Sequence, residues 1–369
     1  MLSLSNIFWP LDLMCHVDRM IRYTERMRPL RFFNPILCVL LTAPMWGNAS
    51  GQEFDSEKPD TVIVRAGQRG KDQPNETTRR LRGKITGWKG SALTLAVGTR
   101  DRQIDNARIV AVETAWSKAA TEARQQLSAG VFDRAIVLLR QAIEDEQRPW
   151  ANAMLQADLV RALLATDQPS LACDQFLLLL RDDPNTRFLN IAPLSWTGEG
   201  SDPSLVTRAS DWLKMEVPAV QLLAASYLIG TAQQETALQT LEQLAQDLDQ
   251  RIAGLASAQV WRTRRDVNVR QVDQWKQKLL SMPKELRPGP NYVLAGHFEA
   301  ADRHNEAVTT WMRLPILYDD RPDLASAALY QVARLMHNTS AEDSANLVLQ
   351  ELVRRFPNST WTQRANRLK

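Results

Sequence analysis

Two stretches of this chain set small residues at helical spacing beside an apolar ladder. One runs Ala123, Gly130, Phe132, Ala135, Leu139, Ala142; the other runs Ala333, Ala345, Leu349, Leu352, Phe356, Pro357. An alanine where two amphipathic helices cross lets their backbones approach, and the ladder alongside needs a neighbour to cover it. Such a segment is a helical hairpin whose core is completed by the next hairpin, so the expected fold is mainly α: an α-solenoid of stacked hairpins. Arrays of this kind offer surfaces for binding more often than sites for bond chemistry.

At 369 residues the chain has room for two ordinary domains or one extended array. Its 44% hydrophobic and 24% charged residues are those of a folded protein, and 15 glycines suit a mostly helical one. A net charge of +3 argues against nucleic acid as the partner, because neutralising phosphates takes a concentrated basic face.

Residues 1–49 read as an N-terminal extension and a signal peptide. Arg28 and Arg31, the apolar stretch 32–41 and the Gly47-Asn48-Ala49 exit are the three parts of an export signal. The apolar stretch is shorter than the roughly 20 residues that a membrane span needs. The residues ahead of Met27 carry Asp12, Asp18 and Glu25 and fit no export signal, so translation is expected to start at Met27 or Met20. Cleavage near Ala49 would place the mature chain in the periplasm or otherwise outside the cytoplasm, with no integral membrane segment. Cys15 and Cys38 would be lost, leaving Cys173 with no internal disulfide partner. If the apolar stretch is instead a buried helix, the chain is a cytoplasmic assembly protein.

Residues 50–60 form a polar linker. Residues 61–114 alternate at period two between glycine turns, as in Thr61-Val62-Ile63-Val64 and Leu81-Arg82-Gly83-Lys84-Ile85. Four or five short strands there predict a small β-barrel-like domain, with a charged insertion at 67–78. From Ala115 the pattern turns helical: hairpins over 115–189, a loop at 190–203 carrying Pro193, Gly198, Gly200 and Pro203, alanine-rich helices over 204–282, and further hairpins over 283–369. The helical part is expected to fold without the β segment.

Ala135 and Ala172 with Leu139 and Phe176, then Ala307 with Trp311, Ala345 with Leu349, and Pro184 and Pro357, resemble the small, large and terminal-proline positions of tetratricopeptide repeats. The 204–282 segment resembles HEAT-type helices, and the β segment resembles Sm-like or SH3-like folds in pattern. The resemblance implies a non-catalytic scaffold of the bacterial cell envelope that binds a protein or peptide.

Motifs for chemistry point the same way. The chain has no P-loop run, no Gly-x-Ser-x-Gly elbow and no Cys-x-x-Cys. His297 and His304 lie two helical turns apart, about 10 Å, too far to share one metal at bonding distance. Acidic clusters at Glu144-Asp145-Glu146, Asp182-Asp183 and Asp319-Asp320 fall at predicted helix ends or loops, where solvation accounts for them. No cofactor is called for. The candidate partner-binding residues are Arg262, Arg264 and Arg265 in Trp261-Arg262-Thr263-Arg264-Arg265, with Arg262 and Arg265 expected on one helix face. Arginine forks grip carboxylates and phosphates. The competing reading, which carries more weight on the sequence, is a solvated face whose stems cover apolar neighbours. An enzyme or accessory subunit whose active site does not show in one sequence is the alternative function.

Overall fold

A computed structural model describes residues 59–65, 78–198, 203–265, 267–318 and 320–367. The export signal, most of the linker and most of the 67–78 insertion lie outside them. The described chain is mostly helical, with one antiparallel five-stranded sheet ahead of the helices.

The sheet is built from β1 (Asp60–Arg65), β2 (Thr78–Lys89), β3 (Ala92–Val97), β4 (Arg100–Asp105) and β5 (Ile109–Glu113), in the order β4-β3-β2-β1-β5. The long strand β2 serves two partners: its first half pairs with β1 and its second with β3, with a register shift between Ile85 and Gly87. Gly83 sits where the halves part, and a Cβ there would lie 2.2 Å from the Ala96 carbonyl oxygen. Strand β4, Arg-Asp-Arg-Gln-Ile-Asp, is exposed except for Ile104. Five polar residues in six leave no apolar alternation, so the sequence reading did not separate it as a strand. A 3-10 turn, Asn106–Arg108, capped by Asp105, carries the chain from β4 to β5.

The sheet does not close its own core. Val62, Val64, Leu81, Ile85, Leu93, Leu95 and Ile104 pack together with Trp150 and Ala151 of the helical region. A polar clamp reinforces the join. The buried Asp60 carboxylate accepts from Ile85 N (2.8 Å) and Thr114 Oγ1, and Arg148 donates to Thr114 Oγ1 (2.8 Å) and the Ala115 carbonyl (2.9 Å) while gripping Glu146. The sheet and the start of the helical region therefore share one core.

Fourteen helices follow among the described residues. Four hairpins share one geometry: α1 (Lys118–Ser128) with α2 (Phe132–Asp145), α3 (Pro149–Ala165) with α4 (Pro169–Asp182), α10 (Pro288–Ala300) with α11 (His304–Leu317), and α12 (Pro322–Asn338) with α13 (Glu342–Arg355). Each turn holds one left-handed residue, Gly130, Asp167, Asp302 or Ser340. The next N–H reaches back into the first helix: Val131 to Gln126 O, Gln168 to Leu163 O, Arg303 to Phe298 O and Ala341 to Met336 O, all 2.8–2.9 Å. This double-bonded ending satisfies carbonyls that a helix terminus leaves bare. The second helix is 14 residues long in all four. Each buries an alanine at its crossing, Ala135, Ala172, Ala307 or Ala345, and a large residue one turn on, Leu139, Phe176, Trp311 or Leu349.

Between the two groups come α5 (Pro203–Trp212), α6 (Pro218–Leu228), α7 (Gln234–Leu244), α8 (Gln250–Thr263) and α9 (Val269–Ser281); α14 (Thr360–Ala365) ends the set. Neighbours in sequence pack from α5 to α8, α8 and α9 both rest on α10, and α12 returns to touch α3. No helix among the described residues is long and apolar enough to cross a membrane.

Of the expected loop at 190–203, the part described up to residue 198 is not a surface connection. After a 3-10 turn, Arg187–Ile191, the chain runs inward, and Ile191, Ala192, Leu194 and Trp196 are buried. Buried backbone must find partners, and donors from distant helices supply them. Arg321 reaches Asn190 O (3.3 Å), the Tyr227 hydroxyl donates to Pro193 O (2.7 Å), and Gln259 Nε2 (2.9 Å) and Arg262 Nη1 both donate to Ser195 O. Arg251 holds the approach through Thr186 O at 2.8 Å. Cys173 lies beside Tyr227, and burial pushes its thiol up to about 12, which leaves it unreactive at neutral pH.

Candidate functional site

The arginine cluster divides. Helix α8 ends at Thr263, so Arg264 and Arg265 lie beyond the helix and share no face with Arg262. The Arg262 guanidinium turns inward, bonded to the carbonyls of Ser195 and Ser226 and to Gln259 Oε1. Burial without a carboxylate partner pulls its pKa down to about 10. Arg262 is a brace for the central loop and leaves the set of partner-binding candidates.

Arg264 and Arg265 are exposed and stand at a groove of about 800 Å³ between α7, α8 and α9. Lys278 of α9 joins them, so three cationic side chains face one carboxylate, Glu242 of α7, among the described lining residues. Arg264 pairs with Glu242 at 3.2 Å across half-exposed surface, an attachment worth well under about 1 kcal/mol. Arg265 makes no ion pair among the described residues. Lys278 is held in place by donating to Ser257 Oγ at 2.8 Å.

The groove wall is rigid for a definite reason. Trp261 of α8 and Trp275 of α9 stack with centroids 5.3 Å apart and planes at 14°, and His297 of α10 meets Trp275 edge-on at 4.9 Å. His297 Nε2 lies 2.9 Å from the Trp261 carbonyl, so that nitrogen carries the proton and donates. Burial lowers the His297 pKa below its ordinary value, keeping the ring neutral. Three aromatic rings from three helices thus fix the platform beside the exposed cationic side chains.

Lys278 and the tryptophan pair could not be assigned to the groove from sequence, because only tertiary packing brings α9 beside α8. Among the described residues no group of three or more His, Cys, Asp or Glu side chains is placed to hold a metal ion. No family model matches the chain, and no curated protein matches it.

Proposed function

We propose that this protein is a non-catalytic scaffold of the bacterial cell envelope that holds an acidic segment of a protein partner. The observation that carries this is the hairpin repeated four times with one turn geometry and one buried alanine position. That is the pattern of tetratricopeptide repeats, whose business is protein binding, and it favours an α-solenoid assembled from such units, with the 204–282 helices as a HEAT-like insert. The strand order and the 3-10 turn between β4 and β5 likewise support an Sm-like or SH3-like relation for the sheet. Export rests on the arginine, apolar and small-residue pattern after Met27.

The basic groove supplies the sign of the partner. Arg264, Arg265 and Lys278 suit carboxylates, and their exposure makes the attraction sensitive to ionic strength. The test is affinity capture from the host's envelope extract with the exported form, compared with R264E/R265E. Arg262 is left intact because changing it would free buried carbonyls. The double variant should lose the captured partner while keeping its helical circular dichroism and thermal midpoint. Full capture by the variant would remove the groove from the interface.

A further inference from the structure

A second cavity, of about 570 Å³, lies where the end of β2 meets the start of α3 and the end of α4. It is separate from the basic groove, and its size falls in the range of small-ligand sites. Trp88, Trp150 and Phe188 give it flat apolar walls. Three of the side chains lining it each carry a buried polar atom with no partner among the described residues: Trp150 Nε1, Gln156 Oε1 and Arg187 Nη2. Trp150 is 3% exposed. Native proteins leave few such atoms, and three around one space mark a place that something polar completes.

The three are held in orientation. Gln156 donates through Nε2 to Asn152 Oδ1 (2.6 Å), and Asn152 is itself tied to the Ile143 carbonyl (2.8 Å), so the Gln156 oxygen is left to accept. The Arg187 guanidinium lies 3.4 Å from the Trp88 ring and 4.1 Å from Phe188, with Nη1 directed to the Trp88 carbonyl. Trp88 is fixed in turn by donating to Asn106 Oδ1 at 2.6 Å. The site thus offers two donors, one of them cationic, and one acceptor. Among the described residues no carboxylate is in contact with Arg187; Asp183 is nearby but takes the Gly90 N–H at 2.7 Å. Burial accordingly drags the Arg187 pKa down to about 9, the sign of a cation short of an anion.

We propose that this cavity is a binding site for a singly charged carboxylate borne on a flat apolar body with an adjacent amide N–H, the chemistry of an N-acylated aromatic amino acid. The carboxylate would accept from Arg187 Nη2 and Trp150 Nε1, the amide N–H would donate to Gln156 Oε1, and the ring would lie among Trp88, Trp150 and Phe188. Asp182 and Asp183 on the same wall disfavour a multiply charged phosphate. Two sources carry this chemistry, a free acylamino acid and the carboxy terminus of a peptide.

Calorimetric titration of the full chain with N-acetyl-L-phenylalanine, its C-terminal amide, and acetyl-Ala-Ala-Phe with a free carboxylate tests the proposal. Saturable binding of N-acetyl-L-phenylalanine at about 1 mM or tighter is expected, with the amide at least about tenfold weaker. A tripeptide binding more tightly than the single residue would identify a chain terminus as the source, and equal affinities a small molecule. R187Q should weaken the acid by about tenfold or more, whereas R264E/R265E should leave it unchanged. W150F removes only the indole N–H, and Q156E places a negative charge beside the docked carboxylate; both should weaken binding even if R187Q fails to fold. Equal binding of acid and amide, no saturation by either acid, or unchanged affinity in W150F and Q156E would overturn the proposal and leave the cavity to solvent.

Discussion

Two glycines on one helix should respond oppositely to the same change. Gly289 is the second residue of α10, and a Cβ built there would lie 2.0 Å from Trp196 Cε2 and 2.4 Å from Cδ2 and Cζ2. Carbon atoms pack at about 3.5 Å or more, so the indole would have to retreat by more than about 1 Å. Trp196 ends the buried part of the central loop and is 4% exposed. Gly289→Ala should therefore destabilise by about 1–3 kcal/mol, the usual cost of overfilling a packed interior. Gly296, two turns along α10, has nothing within 4 Å of its would-be Cβ. Gly296→Ala should stabilise by up to about 1 kcal/mol through helix propensity alone. The pair should differ by about 1–4 kcal/mol, which is roughly 2–6 °C in thermal midpoint for a chain of this size. Differential scanning calorimetry of the two variants at one scan rate measures it. Shifts of the same sign and size would mean that Trp196 is not seated on α10 and that the central loop does not run where we place it.

Removing the strands should damage the helices: a 115–369 fragment bares Trp150, Ala151 and Met154, which close the sheet core, and should elute from size exclusion as aggregate despite strong helical dichroism. A monodisperse fragment melting like the full chain would show that the shared core contributes nothing. Acid should unfold the protein partly through His297. The unfolded chain takes up that proton near the ordinary value of 6.5 and the folded chain only at lower pH, so stability is full above 6.5 and falls as pH drops from there to the depressed folded value. His297→Gln retains a donor for the Trp261 carbonyl and should lose stability less steeply over that window. Parallel urea-melting curves for the two proteins from pH 7 to pH 5 would refute this.

Local chemistry was legible in the sequence. The alanines at 135, 172, 307 and 345 mark the helix crossings because a tight crossing admits little else, and Thr61–Val64 and Ala92–Val97 alternate as half-buried strands must. What escaped depends on residues far apart in the chain. Arg262 looked solvated because its acceptor, Ser195 O, lies 67 positions away. The stretch 190–198 looked like a surface loop because proline and glycine punctuate it, although Ile191, Leu194 and Trp196 are an unusual amount of apolar surface for a solvated connection. The sheet looked separate because nothing in residues 61–114 announces that Trp150 belongs to its core. Of the groove, Arg264 and Arg265 were readable as exposed cations; Lys278 and the tryptophan platform were not, since their neighbours come from other helices.

The inward-running segment has a consequence for how such a protein can change over generations. Arrays held only by adjacent units can gain or lose a unit and remain sound. Here Asn190, Pro193 and Ser195 take their bonds from Arg321 at the start of α12, Tyr227 on α6, and Gln259 and Arg262 on α8. Copying or deleting a hairpin between these donors would carry at least one of them away by the width of a helix pair. Each buried carbonyl left bare would cost about 1–3 kcal/mol, a large part of what holds any fold together. Copy number is therefore fixed between α6 and α12, and change in that span is confined to exchanging side chains.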